Sequence, residues 1–271
     1  MAARSVVDAM VRLVTVLATF LLLAVSLTVI PSQAAVPVQE REPLATPPGT
    51  PLPSGQLCAR WNSRSGWEPI PGNSEANNHV PSELSLPPWQ GYDPEANARF
   101  LPRIDGDFRG TTDEIIEWAA CKWGINPDLV RAQAMAESSW VQSKAGDEVD
   151  DQRKCVPGDR APCPTSFGLL QIKHFFHPGT YPHSRESTAF NVDYSLGLMR
   201  ACYEGWVGFF PEDYRAGDFE GCLGQHFSGS WKDQAGRAYV ERVFRHWNGQ
   251  TWKQLPGYER FRLPGLPGLR R

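Results

Sequence analysis

Six cysteines, all beyond position 57, constrain this chain more than anything else: Cys58, Cys121, Cys155, Cys163, Cys202 and Cys222. Upstream, Arg4 and Arg12 flank the start of an uncharged apolar run from Leu13 to Ile30. Pro31-Ser32-Gln33-Ala34-Ala35 follows, with small residues suited to signal-peptidase cleavage. Residues 1–35 therefore read as a signal peptide. The run is also nearly long enough to span a bilayer, so a retained anchor at the outer face of the cytoplasmic membrane is the alternative. Either way the remainder is exported, secreted or held at the cell wall. In an oxidising space an even number of cysteines becomes a disulfide framework. Zinc is the competitor, but no cysteine pair has the short knuckle spacing and no histidine cluster stands nearby, so no metal and no cofactor is expected. Of fifteen connectivities the simplest set closes a short loop with Cys155–Cys163 and adds Cys202–Cys222 and Cys58–Cys121.

The 271 residues, 41% hydrophobic and 21% charged, fit one globular domain with appendages, and a net charge of −3 argues against a nucleic-acid surface. Residues 36–56 are proline-rich and read as a semi-extended linker with no core of its own. Residues 57–110 carry many breakers but also Trp61, Trp67, Trp89, Tyr92, Phe100 and Phe108. A disordered tail would be poor in aromatics, so this stretch reads as an irregular lead-in packed on the main domain and stapled through Cys58. Helical signals begin at Thr111, which forms a capping box with Glu114 and opens a helix closed by Gly124. Asn126-Pro127 caps the next helix. Further helices are expected over Thr188–Tyr203 and from about Asp233 to Trp247, with no strand pair standing out. Residues 111–255 thus make a mainly α domain. A breaker-rich basic tail, 256–271, follows; from Glu241 to Arg271 there are seven Arg and Lys against two Glu.

Glu137 ends the second of these helices, in Val130-Arg131-Ala132-Gln133-Ala134-Met135-Ala136-Glu137. At helical spacing it shares a face with Val130 and Ala134, which aims the carboxyl at the core or at a cleft wall. A desolvated carboxyl is expected to keep its proton near neutral pH and to serve as a general acid. The plainer alternative is a helix-end glutamate turned to solvent. Three further segments bear on the choice: Gly168-Leu169-Leu170-Gln171, Asn191-Val192, and a glycine-bearing aromatic loop, Gln225-His226-Phe227-Ser228-Gly229.

Taken with Glu137-Ser138, these segments in this order resemble the soluble lytic transglycosylase domain, glycoside hydrolase family 23, a relative of goose-type lysozyme. The resemblance runs from about Thr111 to Trp247. It implies a lysozyme-like helical fold with a substrate cleft, Glu137 as catalytic acid, and Ser138, Gly168, Gln171, Asn191, His226 and Phe227 toward substrate. Where the family has a Tyr beside the acid, this chain offers His226 or Phe227. Leu170 replaces the family's Met, and the loop with Cys155 and Cys163 is longer. Trp140, Phe167, Trp206 and Trp231 are candidates for sugar stacking, with core packing the plainer reading of each.

The implied reaction breaks the β-1,4 bond between N-acetylmuramic acid and N-acetylglucosamine in peptidoglycan strands. It leaves 1,6-anhydromuramoyl ends, and the partner expected for this monomer is the glycan. One carboxyl suffices because the substrate's own 6-hydroxyl is the nucleophile. A hydrolytic lysozyme or chitinase of the same fold needs a second carboxylate, for which Asp147, Glu148, Asp150, Asp151, Asp159 and Asp193 are the candidates. A wall-binding protein without catalysis is the third reading.

Overall fold

The computed structural model describes residues 43–259, which form one compact unit. The leader at 1–35, linker residues 36–42 and tail residues 260–271 lie outside the described residues. Among the described residues no helix is long and apolar enough to cross a membrane.

The architecture is mainly α. Three short helices come first: α1 (Gly55–Trp61), α2 (Ser74–Asn78) and α3 (Pro94–Phe100). Then come α4 (Thr112–Trp123) and α5 (Pro127–Ser138). The chain continues through β1 (Ala145–Gly146), β2 (Ser166–Phe167) and β3 (Ile172–Lys173) to α6 (His183–Glu186), α7 (Thr188–Tyr203), α8 (Phe219–Ser228) and α9 (Gln234–Gly249). The three strands form a small antiparallel sheet in chain order. With two residues each they carry no readable alternation, which is why sequence patterning misses them.

Local chemistry explains the helix ends. The Thr111 hydroxyl accepts from the Glu114 amide, the Glu114 side chain accepts from the Thr111 amide, and Gly124 closes α4 in the left-handed region at φ 62°. Asn126 caps α5 through the Asp128 amide. Helix α7 is the axis of the domain, with all sixteen residues buried. Its charged groups are paired, as burial demands, while the Thr188 and Ser195 hydroxyls are buried without a partner among the described residues. The Asp193 carboxylate accepts from Lys122 Nζ at 2.8 Å and from Trp123 Nε1 at 2.7 Å. Arg200 donates to Glu204 and to the Thr46 and Pro47 carbonyls.

Those last contacts correct the linker reading. The portion from Pro43 is a strap with contacts to the core: Ala45 is buried and bridges to Ile125, and the Thr46 amide donates to the Gly124 carbonyl at 2.8 Å. The lead-in docks on the helices too, and contains α1, α2 and α3. The disulfides are Cys58–Cys121, Cys155–Cys163 and Cys202–Cys222, the simplest of the fifteen sets. They tie α1 to α4, close the loop after β1, and bolt α8 to α7. Three such bridges fit an oxidising compartment outside the cytoplasm.

Candidate active site

Helix α5 delivers Glu137 in its last turn. Ser139 (φ 53°) and Trp140 (φ 65°) then turn the chain through consecutive left-handed residues. Such a turn is costly for residues with a Cβ, and burial holds it in place. Trp140 is fully buried, its Nε1 donates to the Arg131 carbonyl at 3.1 Å, and its own carbonyl accepts from Asn73 Nδ2 at 2.7 Å. The Glu137 side chain is left only 9% exposed.

Two side chains meet its carboxyl on the same oxygen. Tyr239 donates its hydroxyl to Glu137 Oε1 at 2.5 Å, and His226 Nε2 stands 3.6 Å from Oε1. Oε2 has no hydrogen-bond partner among the described residues. Tyr239 is itself buried on α9. Burial first, then the charge of Glu137, hold its hydroxyl pKa well above the usual value, so it stays a donor throughout the physiological range. The sequence reading put His226 or Phe227, neither of which has a hydroxyl, where the family has its tyrosine. The structure supplies a hydroxyl from Tyr239, 102 positions beyond Glu137.

Gln225 to Ser228 is not a loop but the end of helix α8. Gly221 and Gly224 lower helix propensity and hide the element from pattern reading, yet tertiary packing requires them. A Cβ at Gly221 would lie 2.4 Å from the Trp231 ring, and one at Gly224 would lie 3.2 Å from the Gly236 carbonyl group. Helices α8 and α9 therefore cross with bare backbone touching, and this crossing brings His226 and Tyr239 to one carboxyl. Phe227 stacks on the Tyr239 ring at 4.8 Å with an interplanar angle of 5°, and remains 47% exposed.

The Gly168–Gln171 segment is the β2–β3 connection. Gly168 (φ 87°) has no room for a side chain, because a Cβ would sit 2.1 Å from Asn191 Nδ2 and 2.3 Å from the Ser184 carbonyl. Its close approach is to protein. Asn191 is fully buried and accepts from the Leu170 amide while donating to the Phe167 and Ser184 carbonyls, all at 2.8 Å. With both amide hydrogens and its oxygen engaged by backbone, it clamps this turn. Ser138 is likewise buried, its hydroxyl turned back onto the Ala134 carbonyl at 3.2 Å. Gln171 donates to the Gly168 and Lys144 carbonyls, leaving its Oε1 over Gly146 as the unengaged end. The turn joins the acid's helix through Gln142, whose Oε1 accepts from the Leu169 amide at 2.9 Å. Trp140 and Phe167 are core residues; Trp206 and Trp231 are half-buried.

His177 follows β3, with its Nδ1 3.2 Å from the Tyr194 hydroxyl. Burial first, then the nearby His226, push its pKa down to about 4. Of the six carboxylates considered as a second catalytic group, three are held in ion pairs. Asp193 is enclosed by Lys122 and Trp123; Asp147 pairs with Lys173 at 2.8 Å and accepts from Ser166; Asp151 pairs with Arg153. Glu148, Asp150 and Asp159 are exposed. A cavity of about 900 Å³ lies elsewhere, lined by Leu44, Tyr203, Phe219, Arg237, Val240 and Phe244 among others, and neither Glu137 nor Tyr239 borders it.

Comparison of the chain with protein-family models, with curated proteins and with solved structures gives no match. The site is therefore argued from its residues. A nearly enclosed carboxyl, one oxygen pinned by a tyrosine and the other without a protein partner, is equipped to give and take a single proton.

Proposed function

We propose that the chain is an exported lytic transglycosylase acting on peptidoglycan, with a lysozyme-like fold and Glu137 as its acid and base. The observation that carries the reading is the Tyr239–Glu137 hydrogen bond of 2.5 Å inside a nearly enclosed site. It adds to the motif resemblance what motifs cannot supply, a held carboxyl. Tyr239 fixes Oε1, so Oε2 is the oxygen that delivers a proton to the glycosidic oxygen between N-acetylmuramic acid and N-acetylglucosamine. The carboxylate so formed takes the proton of the muramoyl 6-hydroxyl as that oxygen closes on its own anomeric carbon. Water is not consumed and one carboxyl serves both steps. Hydrolysis needs a second carboxylate roughly 6.5–9.5 Å from the acid in an inverting enzyme; the ion pairs of Asp193, Asp147 and Asp151 take those three out of that role, leaving Glu148, Asp150 and Asp159.

The test is mass spectrometry of purified wall glycan digested by wild type and by Glu137→Gln. Anhydromuramoyl ends from wild type and none from the variant support the proposal. Reducing ends in their place mean a hydrolase. Binding without fragments means a wall-binding protein, and equal turnover by the variant removes Glu137 from the chemistry.

A further inference from the structure

Among the described residues Arg242 is a cation without an anion. It lies one turn after Tyr239 on α9, and its guanidinium carbon stands 5.0 Å from the ring centroids of both Phe227 and Tyr239. Among the described residues it forms no ion pair and no hydrogen bond, and its Nε is buried without any partner. An arginine usually meets a carboxylate or a carbonyl when its guanidinium is drawn out of water. The neighbouring charges make the deficit worse. Arg245 is exposed nearby, and His246 on the same helix is held below its usual pKa by burial and by Arg245 and Arg242. Glu241, the acidic neighbour in sequence, lines the 900 Å³ cavity instead. The platform beneath Arg242 leads straight to the chemistry: it stacks on the same Tyr239 ring whose hydroxyl holds Glu137. Phe227, the other ring under it, is the exposed aromatic of this neighbourhood.

We infer that Arg242, stacked on Phe227 and Tyr239, is a substrate-specificity residue that takes a carboxylate carried by the muramoyl sugar, either on its 3-O-lactyl arm or on the peptide built on that arm. The inference rests on the peptidoglycan reading above and sharpens it. A planar guanidinium offers paired N–H groups to a carboxylate, and the apolar ring beneath it keeps water from one face. A neutral glycan such as chitin lacks the partner and leaves the cation unmatched. Discrimination follows from that difference.

The test uses the Glu137→Gln chain, oxidised, so that ligands are bound but not cleaved. Calorimetric titration compares three probes: the disaccharide N-acetylglucosaminyl-N-acetylmuramic acid, its lactyl methyl ester, and the same disaccharide bearing an Ala-Glu dipeptide. A charge-assisted bidentate contact at a half-exposed arginine is expected to give about tenfold tighter binding of the acid over the ester. Adding Arg242→Gln should erase that ratio, and Arg242→Lys should restore part of it. If the free acid and the ester bind alike but the dipeptide form binds about tenfold tighter in an Arg242-dependent way, the stem carboxylate is the ligand and the inference stands in that form. Equal binding of all three probes to the Arg242 chain overturns the inference and leaves the functional reading intact. If the Arg242→Gln chain keeps the same ratio, the carboxylate is bound elsewhere and the inference fails. If no probe binds at all, the peptidoglycan reading itself fails and takes the inference with it.

Discussion

Replacing Tyr239 with Phe removes one oxygen from the centre of the proposed site and little else. The ring keeps its place, because its stacking on Phe227 at 4.8 Å and its packing under Arg242 do not use the hydroxyl. What is lost is the 2.5 Å hydrogen bond to Glu137 Oε1, between a fully buried donor and a carboxyl that is only 9% exposed. A hydrogen bond to a charged group contributes about 1.5–3 kcal/mol. If that energy holds the carboxyl in its reactive orientation, its loss appears in the barrier, where about 1.36 kcal/mol is tenfold in rate. The expected fall in kcat is therefore roughly 10- to 150-fold, with KM little changed, because the hydroxyl is engaged by the Glu137 carboxyl. Stability should fall by only about 1–2 kcal/mol, since His226 still stands 3.6 Å from the same oxygen. The assay is the initial rate of fragment release from purified walls over a range of wall concentration, with urea unfolding as the control for folding. A Tyr239→Phe enzyme within twofold of wild type in kcat would refute the idea that this hydroxyl holds the acid. A large rise in KM at constant kcat would move Tyr239 from positioning to substrate binding.

Three further outcomes follow from contacts already described. Gly168→Ala must hold a Cβ at φ 87° within 2.1 Å of Asn191 Nδ2, which breaks at least one buried hydrogen bond; backbone strain and the lost bond together cost about 3–5 kcal/mol, and urea melts showing under 1 kcal/mol would contradict the clamp. Asp193→Asn leaves the buried Lys122 ammonium with only the half-exposed Asp105 as counter-ion, for an expected loss of about 3 kcal/mol, and a neutral result would mean that the pair is replaceable. Acidification should destabilise the domain through His177. In the unfolded chain its imidazole takes up a proton near pH 6.5, in the folded state only near 4, so between those values the unfolded state holds more protons and stability drops as pH falls, by at most about 1.4 kcal/mol per unit. His177→Asn should flatten that slope in pH-dependent unfolding curves, and an unaltered slope would assign the sensitivity to other groups.

Sequence patterning finds what local chemistry writes. The Thr111–Glu114 capping box, the Asn126-Pro127 start and the Gly124 stop locate α4 and α5 to within a residue, and with them the position of Glu137. What escapes is set by tertiary contact. Helix α8 reads as loop because its glycines are bad for an isolated helix and necessary for one pressed against Trp231 and α9. Tyr239 reads as one more residue of an amphipathic helix, since nothing local marks a hydroxyl that will meet a carboxyl 102 positions away. Asn191 and Ser138 look like substrate ligands because they are polar among apolar neighbours, but their partners are backbone carbonyls and amides that only folding brings near. The two-residue strands are too short to leave a signal.

The bare crossing of Gly224 against Gly236 acts as a gauge for the whole site. Two residues before it, Cys222 is bolted to Cys202 of the central helix, so α8 has a fixed foot. The distance from that foot to α9 is set by backbone meeting backbone where two Cβ atoms are missing. His226 and Tyr239 sit on opposite sides of this joint, at fixed offsets from it, and both are aimed at one oxygen. A single methyl at position 236 would stand 3.0 Å from the Gly224 carbonyl oxygen and press the two helices apart by a few tenths of an ångström, shifting the histidine and the tyrosine relative to Glu137, so the geometry proposed for catalysis can be detuned without touching any group that handles a proton.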